Sequence, residues 1–284
     1  MTDDRPPEVV QSAFGLYGEQ PVPLGSVWDC GWRCGAAVLS MVSDHPRAAW
    51  SARVRENLEI EGAQIARPLR ASDGRYVVGG WRADTFIEGS PEPRYDEIVL
   101  TAVRLHEATS GLERPRFLGQ TPSVPWTEVD VFNVADRAAW EERPLQKLPP
   151  GAPPLDQTDD GRRSVKLLTE LSTMRFPTRS ASQLVHGDLC GTVLFDGPAR
   201  PAITDITAYW RPPAWAAGVV VVDALSWGDA DDGLIERWNS LPEWPQMLLR
   251  ALMFRLAVHS LHPRSLASAL PGLERTAELV KDLL

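Results

Sequence analysis

The chain is 284 residues long, 43% hydrophobic and 24% charged, a make-up that suits a soluble globular protein with a substantial core. Its formal charge of −9 argues against nucleic acid or an anionic membrane as a partner, since both need a cationic surface. No apolar run approaches the roughly 18 residues of a membrane span; MTDDRPPEVV shows no signal pattern and three cysteines make no disulfide framework, so a cytoplasmic protein is expected.

Residues 7–14 read as a short helix behind an acidic, Pro-containing lead. PLGSVWDCGWRCGAAVLSMV sets a Gly-bearing turn between stretches of strand character, a hairpin signal, with 38–42 as a short apolar strand. Over 46–58 the apolar Ala49, Trp50, Val54 and Leu58 recur at near-helical spacing, Pro46 suits a first turn, and Gly62 ends the run. ARPLRASDGRYVVGGWRADTFIEG reads as strand, Asp-Gly turn, strand, Gly-Gly, strand. Residues 1–88 are thus expected to form a small β-rich lobe with one helix.

After Gly89 and two prolines the pattern turns helical. Tyr95–Ala108 is amphipathic, with Ile98, Val99, Ala102, Val103 and Leu105 on one side. The Pro, Gly and acid content of 110–126 and 144–163 predicts loops, with a short helix at 136–140 and the end of another at 165–171. Two short strands fall in 184–212, and 214–226, 233–239, 244–260 and 273–284 are helical. Residues 89–284 are therefore expected to be a larger, mostly helical lobe carrying one hairpin. The fold class is bilobal α+β.

The chemistry concentrates in LVHGDLCGTVLFDGPARPAITDITAYWRP. One acid, Asp188, follows His186 and Gly187; a second, Asp205, stands just past Ile203. Two carboxylates presented in this way point to phosphoryl transfer, which relies on metal ions, cationic groups and positioning to offset phosphate charge. The bland readings are a loop-orienting His186 and a turn or cap at Asp205. VHGDL, VLF and PAITDITAYWRP together resemble the catalytic segment of the aminoglycoside phosphotransferases, kinase-like enzymes, with an actinobacterial branch the most similar. LGSVWDCGWRCGAAVL and IARPLRASDGRYVVGGWRADTFIEG fall in the expected order, so the resemblance covers most of the chain. It implies Asp188 as catalytic base, His186 and Gly187 shaping its loop, and Asp205 on Mg²⁺. It also implies the 24–35 hairpin over the phosphates and a hinge near 81–86, with Trp81 beside the nucleotide.

The chain departs from that pattern where charge is compensated. The place of the active-site lysine on the strand after the hairpin is Ser40, and no lysine precedes Lys147. Arg33, Arg53 and Arg67 are the substitute cations considered, and Glu56 and Glu59 the helix acids. Thr192 stands where a metal-binding asparagine is expected, and a hydroxyl is a poorer Mg²⁺ ligand than an amide carbonyl. Losing one transition-state donor commonly costs on the order of 10²–10³ in rate. ATP and Mg²⁺ are accordingly expected only in a weakened site. The expected function is a degenerate, pseudokinase-type component of a bacterial biosynthetic pathway that binds a small molecule, a peptide or a partner enzyme. The alternatives are an active phosphotransferase acting on a hydroxyl, and a cleft recruited for cyclase or lyase chemistry through Cys190 or His186. Zinc held by Cys30, Cys34, Cys190 and His186 is not expected, because Cys-x₃-Cys is loose spacing and free cysteines pack as small hydrophobes.

Overall fold

The structure, a computed structural model, describes residues 5–119, 126–140, 145, 148, 151–152, 155 and 158–284. The chain divides into two compact units, Met1–Phe117 with Asp188–Ala208 and Leu118–Gly187 with Tyr209–Leu284. The segment carrying Asp188 and Asp205 therefore packs with the sheet-forming part of the chain.

In the first unit, α1 (Glu8–Ala13) precedes β1 (Val22–Pro23), β2 (Trp32–Cys34), β3 (Ala37–Met41) and α2 (His45–Asn57). β4 (Gln64–Ile65), β5 (Pro68–Leu69), β6 (Val77–Val78), β7 (Trp81–Thr85) and α3 (Tyr95–Ala108) follow. One antiparallel sheet runs β1-β2-β3-β7-β5, with β6 also on β7. Strand alternation sorts its side chains onto two faces. Leu39, Trp81 and Ala83 pack with Val10 of α1 and Phe14 just past its end, whereas Val38 packs with Trp28, Ala66 and Leu194. α3 takes the bounds its apolar stripe predicts. α2 also lies where expected, capped by Asp44, whose carboxylate accepts the Arg47 N–H at 3.0 Å. Its buried residues, however, are Ser51, Ala52 and Arg55, so the helix is seated by polar contacts more than by the apolar spacing.

The stretch that carries His186, Asp188 and Asp205 supplies β8 (Gln183–His186), β9 (Val193–Leu194), β10 (Ala202–Ile203) and β11 (Ala208–Arg211). β10 joins β9 antiparallel and β4 parallel, and β8 pairs with β11. This is more strand than the single hairpin expected.

The second unit is helical: α4 (Glu128–Trp140), α5 (Asp159–Ser172), α6 (Pro213–Trp227), α7 (Leu234–Arg237), α8 (Trp244–Leu261) and α9 (Leu270–Lys281). α8 is apolar almost all round and packs against α4, α5, α6 and α9, which makes it the central helix. α4 begins eight residues before the expected start at 136, because Val131 and Val134, weaker helix formers, are buried on the same helix as Ala135 and Ala138. α5 begins inside a stretch read as loop. Its acids and Gly161 are an N-terminal signature: the Thr158 hydroxyl accepts the Gly161 N–H at 3.2 Å, and Asp159 and Asp160 suit the helix dipole. Parts of the 110–126 and 144–163 loops lie outside the described residues, as does Lys147. No helix among the described residues is long and apolar enough to cross a membrane.

Candidate functional site

Ser40, the position lacking its lysine, is buried on β3, and Arg82 on β7 is its antiparallel partner. Side chains directly opposite in such a pair share a face, with Cβ atoms about 5 Å apart. Arg82 therefore brings a guanidinium to the place the lysine leaves vacant. It bonds Asp205 Oδ2, donates to Asp29 Oδ2 at 2.6 Å, and stands 3.6 Å from Asp84, two residues along the same strand face.

A second arginine closes the other side. Arg55 of α2 is fully buried, 2.9 Å from Asp84 Oδ1 and 3.2 Å from Asp205 Oδ1, and donates to the Ala66 carbonyl at 2.7 Å. Ser51, one helical turn earlier, accepts from Arg55 at 3.0 Å and donates to Asp205 Oδ1 at 2.6 Å. The Ile206 N–H also donates to that oxygen, at 2.7 Å. Three acids (Asp29, Asp84, Asp205) thus meet two arginines, a formal charge of −1.

Electrostatics follow from this crowding. Burial would raise the Asp205 carboxyl, but Arg82 and then Arg55, with the Ser51 and Ile206 bonds, hold it well below the usual carboxylate range. Burial would likewise lower Arg82, and Asp205, Asp84 and Asp29 outweigh it and push its pKa up. Asp29 goes the other way: burial raises it, Arg82 pulls it down, and Asp205, Asp84 and Asp188 add upward push. Its side chain keeps 60% of its surface in solvent, which softens the effect.

None of the substitute cations considered from sequence fills this role. Arg33 pairs with Glu88 at 3.1 Å, Arg67 with Glu59 at 2.8 Å, and Arg53 is exposed. Glu56 is held by Arg70 at 2.8 Å. The cations are Arg55 and Arg82, and the signals for them were the Ser51/Arg55 spacing and the alternation of Arg82 with Asp84 opposite β3.

The hairpin is tied down on this corner rather than left as a plain Gly turn. After a 3-10 turn at Ser26–Trp28, Asp29 and Cys30 both adopt positive φ (53° and 52°). The Ser40 hydroxyl donates to the Trp28 carbonyl at 3.3 Å, and the Thr204 hydroxyl to the Val27 carbonyl at 2.8 Å. Gly31 is required here, since a Cβ would stand 2.5 Å from Ser40 Oγ.

The other expected residues are placed as follows. His186 ends β8, buried, in the second unit. Gly187 follows because a Cβ would meet the Tyr209 ring at 2.3 Å, a packing reason for the glycine of the His-Gly-Asp run. Asp188 opens a tight turn in the first unit, near enough to Asp29 to raise it. Thr192 serves that turn: its hydroxyl donates to the Asp188 carbonyl at 2.9 Å, and its own carbonyl accepts the Thr204 N–H at 2.9 Å. Trp81, expected beside a nucleotide, is buried at the start of β7 among Val10, Phe14, Cys34 and Leu39. Cys30 is exposed, Cys34 buried and Cys190 half-buried. No three His, Cys, Asp or Glu side chains among the described residues form a metal-holding group. A cavity of about 580 Å³ lined by Arg5, Gln11, Tyr17 and Glu19 holds none of these residues.

No family model and no curated protein matches the chain. Solved structures do. A microcompartment-associated aminopropanol kinase is 16% identical, with 96% of this chain and 94% of that chain covered and a TM-score of 0.54. An aminoglycoside phosphotransferase from Alicyclobacillus acidocaldarius is 16% identical over 99% and 96%, TM-score 0.54. A thermostable mutant of aminoglycoside phosphotransferase APH(4)-Ia, in a ternary complex with ADP and hygromycin B, is 14% identical over 96% and 97%, TM-score 0.60. The fold is that of the aminoglycoside phosphotransferases.

Within this aminoglycoside-phosphotransferase fold, Asp205 is the acid expected on Mg²⁺, and in this chain it pairs with Arg55 and Arg82. A carboxylate offers about four acceptor sites. At Asp205, Oδ1 accepts from Ser51 and the Ile206 N–H and lies 3.2 Å from Arg55, and Oδ2 is bonded by Arg82. A metal ion bound at Asp205 would add two positive charges beside two arginines.

Proposed function

We propose that the protein is a pseudokinase-type form of this fold, a component that binds a small molecule, a peptide or a partner enzyme in a bacterial biosynthetic pathway without transferring phosphate from ATP. One observation carries the reading: both oxygens of Asp205 are committed to Arg82, Arg55, Ser51 and the Ile206 N–H. The structural matches are to kinases and phosphotransferases and favour it no more than a catalytic reading; the engagement of Asp205 is what favours it.

A second reading, an active phosphotransferase with Asp188 as base toward an acceptor hydroxyl, draws support from Arg82. Its place opposite Ser40 restores one cation of the two groups the sequence lacks. Thermal unfolding in millimolar ATP and Mg²⁺ separates the two. A ligand present at 100 times its Kd adds about 2.7 kcal/mol, roughly 5–10 °C in a chain of this size. We expect no shift. A Mg²⁺-dependent rise lost in Asp205→Ala, with ATP turnover lost in Asp188→Ala, would overturn the proposal and establish the second reading.

A further inference from the structure

α1 covers the sheet face that carries Leu39. Strand alternation puts Ser40 on the opposite face, with the cluster around Asp205. A cavity of about 580 Å³ opens at the lead into α1 and the loop that follows it, all within the first unit. Its volume is that of a small-ligand site. One wall is an amide in a fixed orientation. Gln11 is 6% exposed, and its Nε2 donates to the Pro6 carbonyl at 2.9 Å. A carbonyl only accepts, so Oε1 is the free end of the amide, with no hydrogen-bond partner among the described residues.

The charged groups of the cavity are also left unpaired. Among the described residues Glu8 and Glu19 form no ion pair, and Arg5 reaches only the Gln20 amide oxygen, at 3.3 Å. Elsewhere on this unit arginines take carboxylates: Arg70 takes Glu56 and Arg75 takes Asp73. Glu19 is set against the turn between β2 and β3, where a Cβ on Gly35 would stand 2.9 Å from its carboxyl carbon. Arg5 and Glu19 act oppositely on the buried Cys34 thiol: burial and then Glu19 push its pKa up, and Arg5 pulls it down. The two opposite charges therefore flank one region without neutralising each other. Pro6, Pro7 and the exposed Tyr17 ring add apolar surface to the lining. A lone cation bound here would leave Arg5 unmatched, and a lone anion would leave both carboxylates unmatched.

We propose that this cavity is a binding site for a zwitterion, a small ligand that carries both an ammonium and a carboxylate. The carboxylate meets Arg5, the ammonium meets Glu8, Glu19 and Gln11 Oε1, and an apolar side chain lies on the prolines and Tyr17. Free amino acids and the shortest peptides share this chemistry.

Titration of the full chain tests this, with the backbone amide signals of residues 5–21 followed by NMR. The probes are phenylalanine and the dipeptide phenylalanylglycine, with phenethylamine and hydrocinnamate as the single-charge halves. Saturable, millimolar or tighter binding of the amino acid or the dipeptide is expected, about tenfold tighter than either half. Whichever of the two binds more tightly names the source of the ligand. Arg5→Gln and Glu19→Gln should each weaken that binding about tenfold and leave Tm unchanged, since both side chains are exposed. Three results overturn the site: no saturable binding of either zwitterion at about 10 mM, phenethylamine or hydrocinnamate binding as well as phenylalanine, or variants that bind like the wild type. No nucleotide or Mg²⁺ enters the titration, so its failure and the failure of the proposed function are read separately.

Discussion

Each compact unit buries arginine–aspartate charge, and the two do it differently. In the helical unit, Arg255 of α8 donates to Asp223 of α6 at 2.7 Å, and both side chains are buried. One acid meets one base between two helices. In the sheet-forming unit, Asp205, Asp84 and Asp29 share Arg82 and Arg55, the Arg55 Nη2 has no hydrogen-bond partner among the described residues, and one end of the cluster reaches solvent at Asp29. A matched, sealed pair staples two helices. An unmatched cluster, open at one end, keeps charge where an incoming group can meet it.

The contrast can be broken most forcefully by double substitution. Arg255→Met should cost about 3–5 kcal/mol by stranding Asp223, and adding Asp223→Leu should recover most of it. Arg82→Met should cost a similar amount. Adding Asp205→Leu should recover little, because Asp29 and Asp84 keep their charges and Arg55 loses a partner. Urea unfolding of these proteins checks this, and equal recovery in the two pairs would erase the distinction.

Restoring the absent lysine sharpens it next. Ser40→Lys puts a long side chain under Gly31 and the Trp28 carbonyl and a third cation beside Arg82, so we expect a loss of about 3 kcal/mol. It should bring no Mg²⁺-dependent stabilisation by ATP. A lysine variant as stable as the wild type would mean that the hairpin is not seated on Ser40.

The smallest effect is in acid. The Asp205 carboxyl is depressed in the folded protein, so its contribution is complete above the unfolded value near pH 4 and is lost as pH falls toward the folded value. Asp205→Asn should therefore flatten the fall of Tm between about pH 4 and pH 2, a difference of about 2 kcal/mol over that window. An identical acid limb in both proteins would take Asp205 out of the ion network.

The fold was largely legible because its signals are local. The stripe of α3, the Asp-Gly and Gly-Gly turns and the His-Gly-Asp run each sit within a few residues. The centre of the site was not. Arg82 becomes a neighbour of Asp205 only once β7 pairs with β3 and β10 closes beside β4, and no spacing along the chain announces that. Arg55 was passed over because α2 was read by its apolar residues while its buried face is Ser51, Ala52 and Arg55. Trp81 and Trp28 pack into different clusters, one with Val10 and Leu39 and the other with Val38 and Leu194. Both lie in strand-and-turn sequence, and only strand register decides which face each one meets. What had read as a loss of lysine and asparagine is, for the cation, a relocation to the next strand.

The first unit is also discontinuous. Its final piece, Asp188–Ala208, is reached only after the whole of the helical unit's first stretch, Leu118–Gly187, has been made. Ser51 and Asp205 bond across 154 residues of chain. During synthesis, α2 and the sheet must therefore persist with Arg55 and Arg82 lacking a carboxylate partner that does not yet exist. Such long-range closure slows folding and leaves β4 as an unpaired edge until β10 arrives. The acid that defines the site is thus also the last piece of the unit to be put in place.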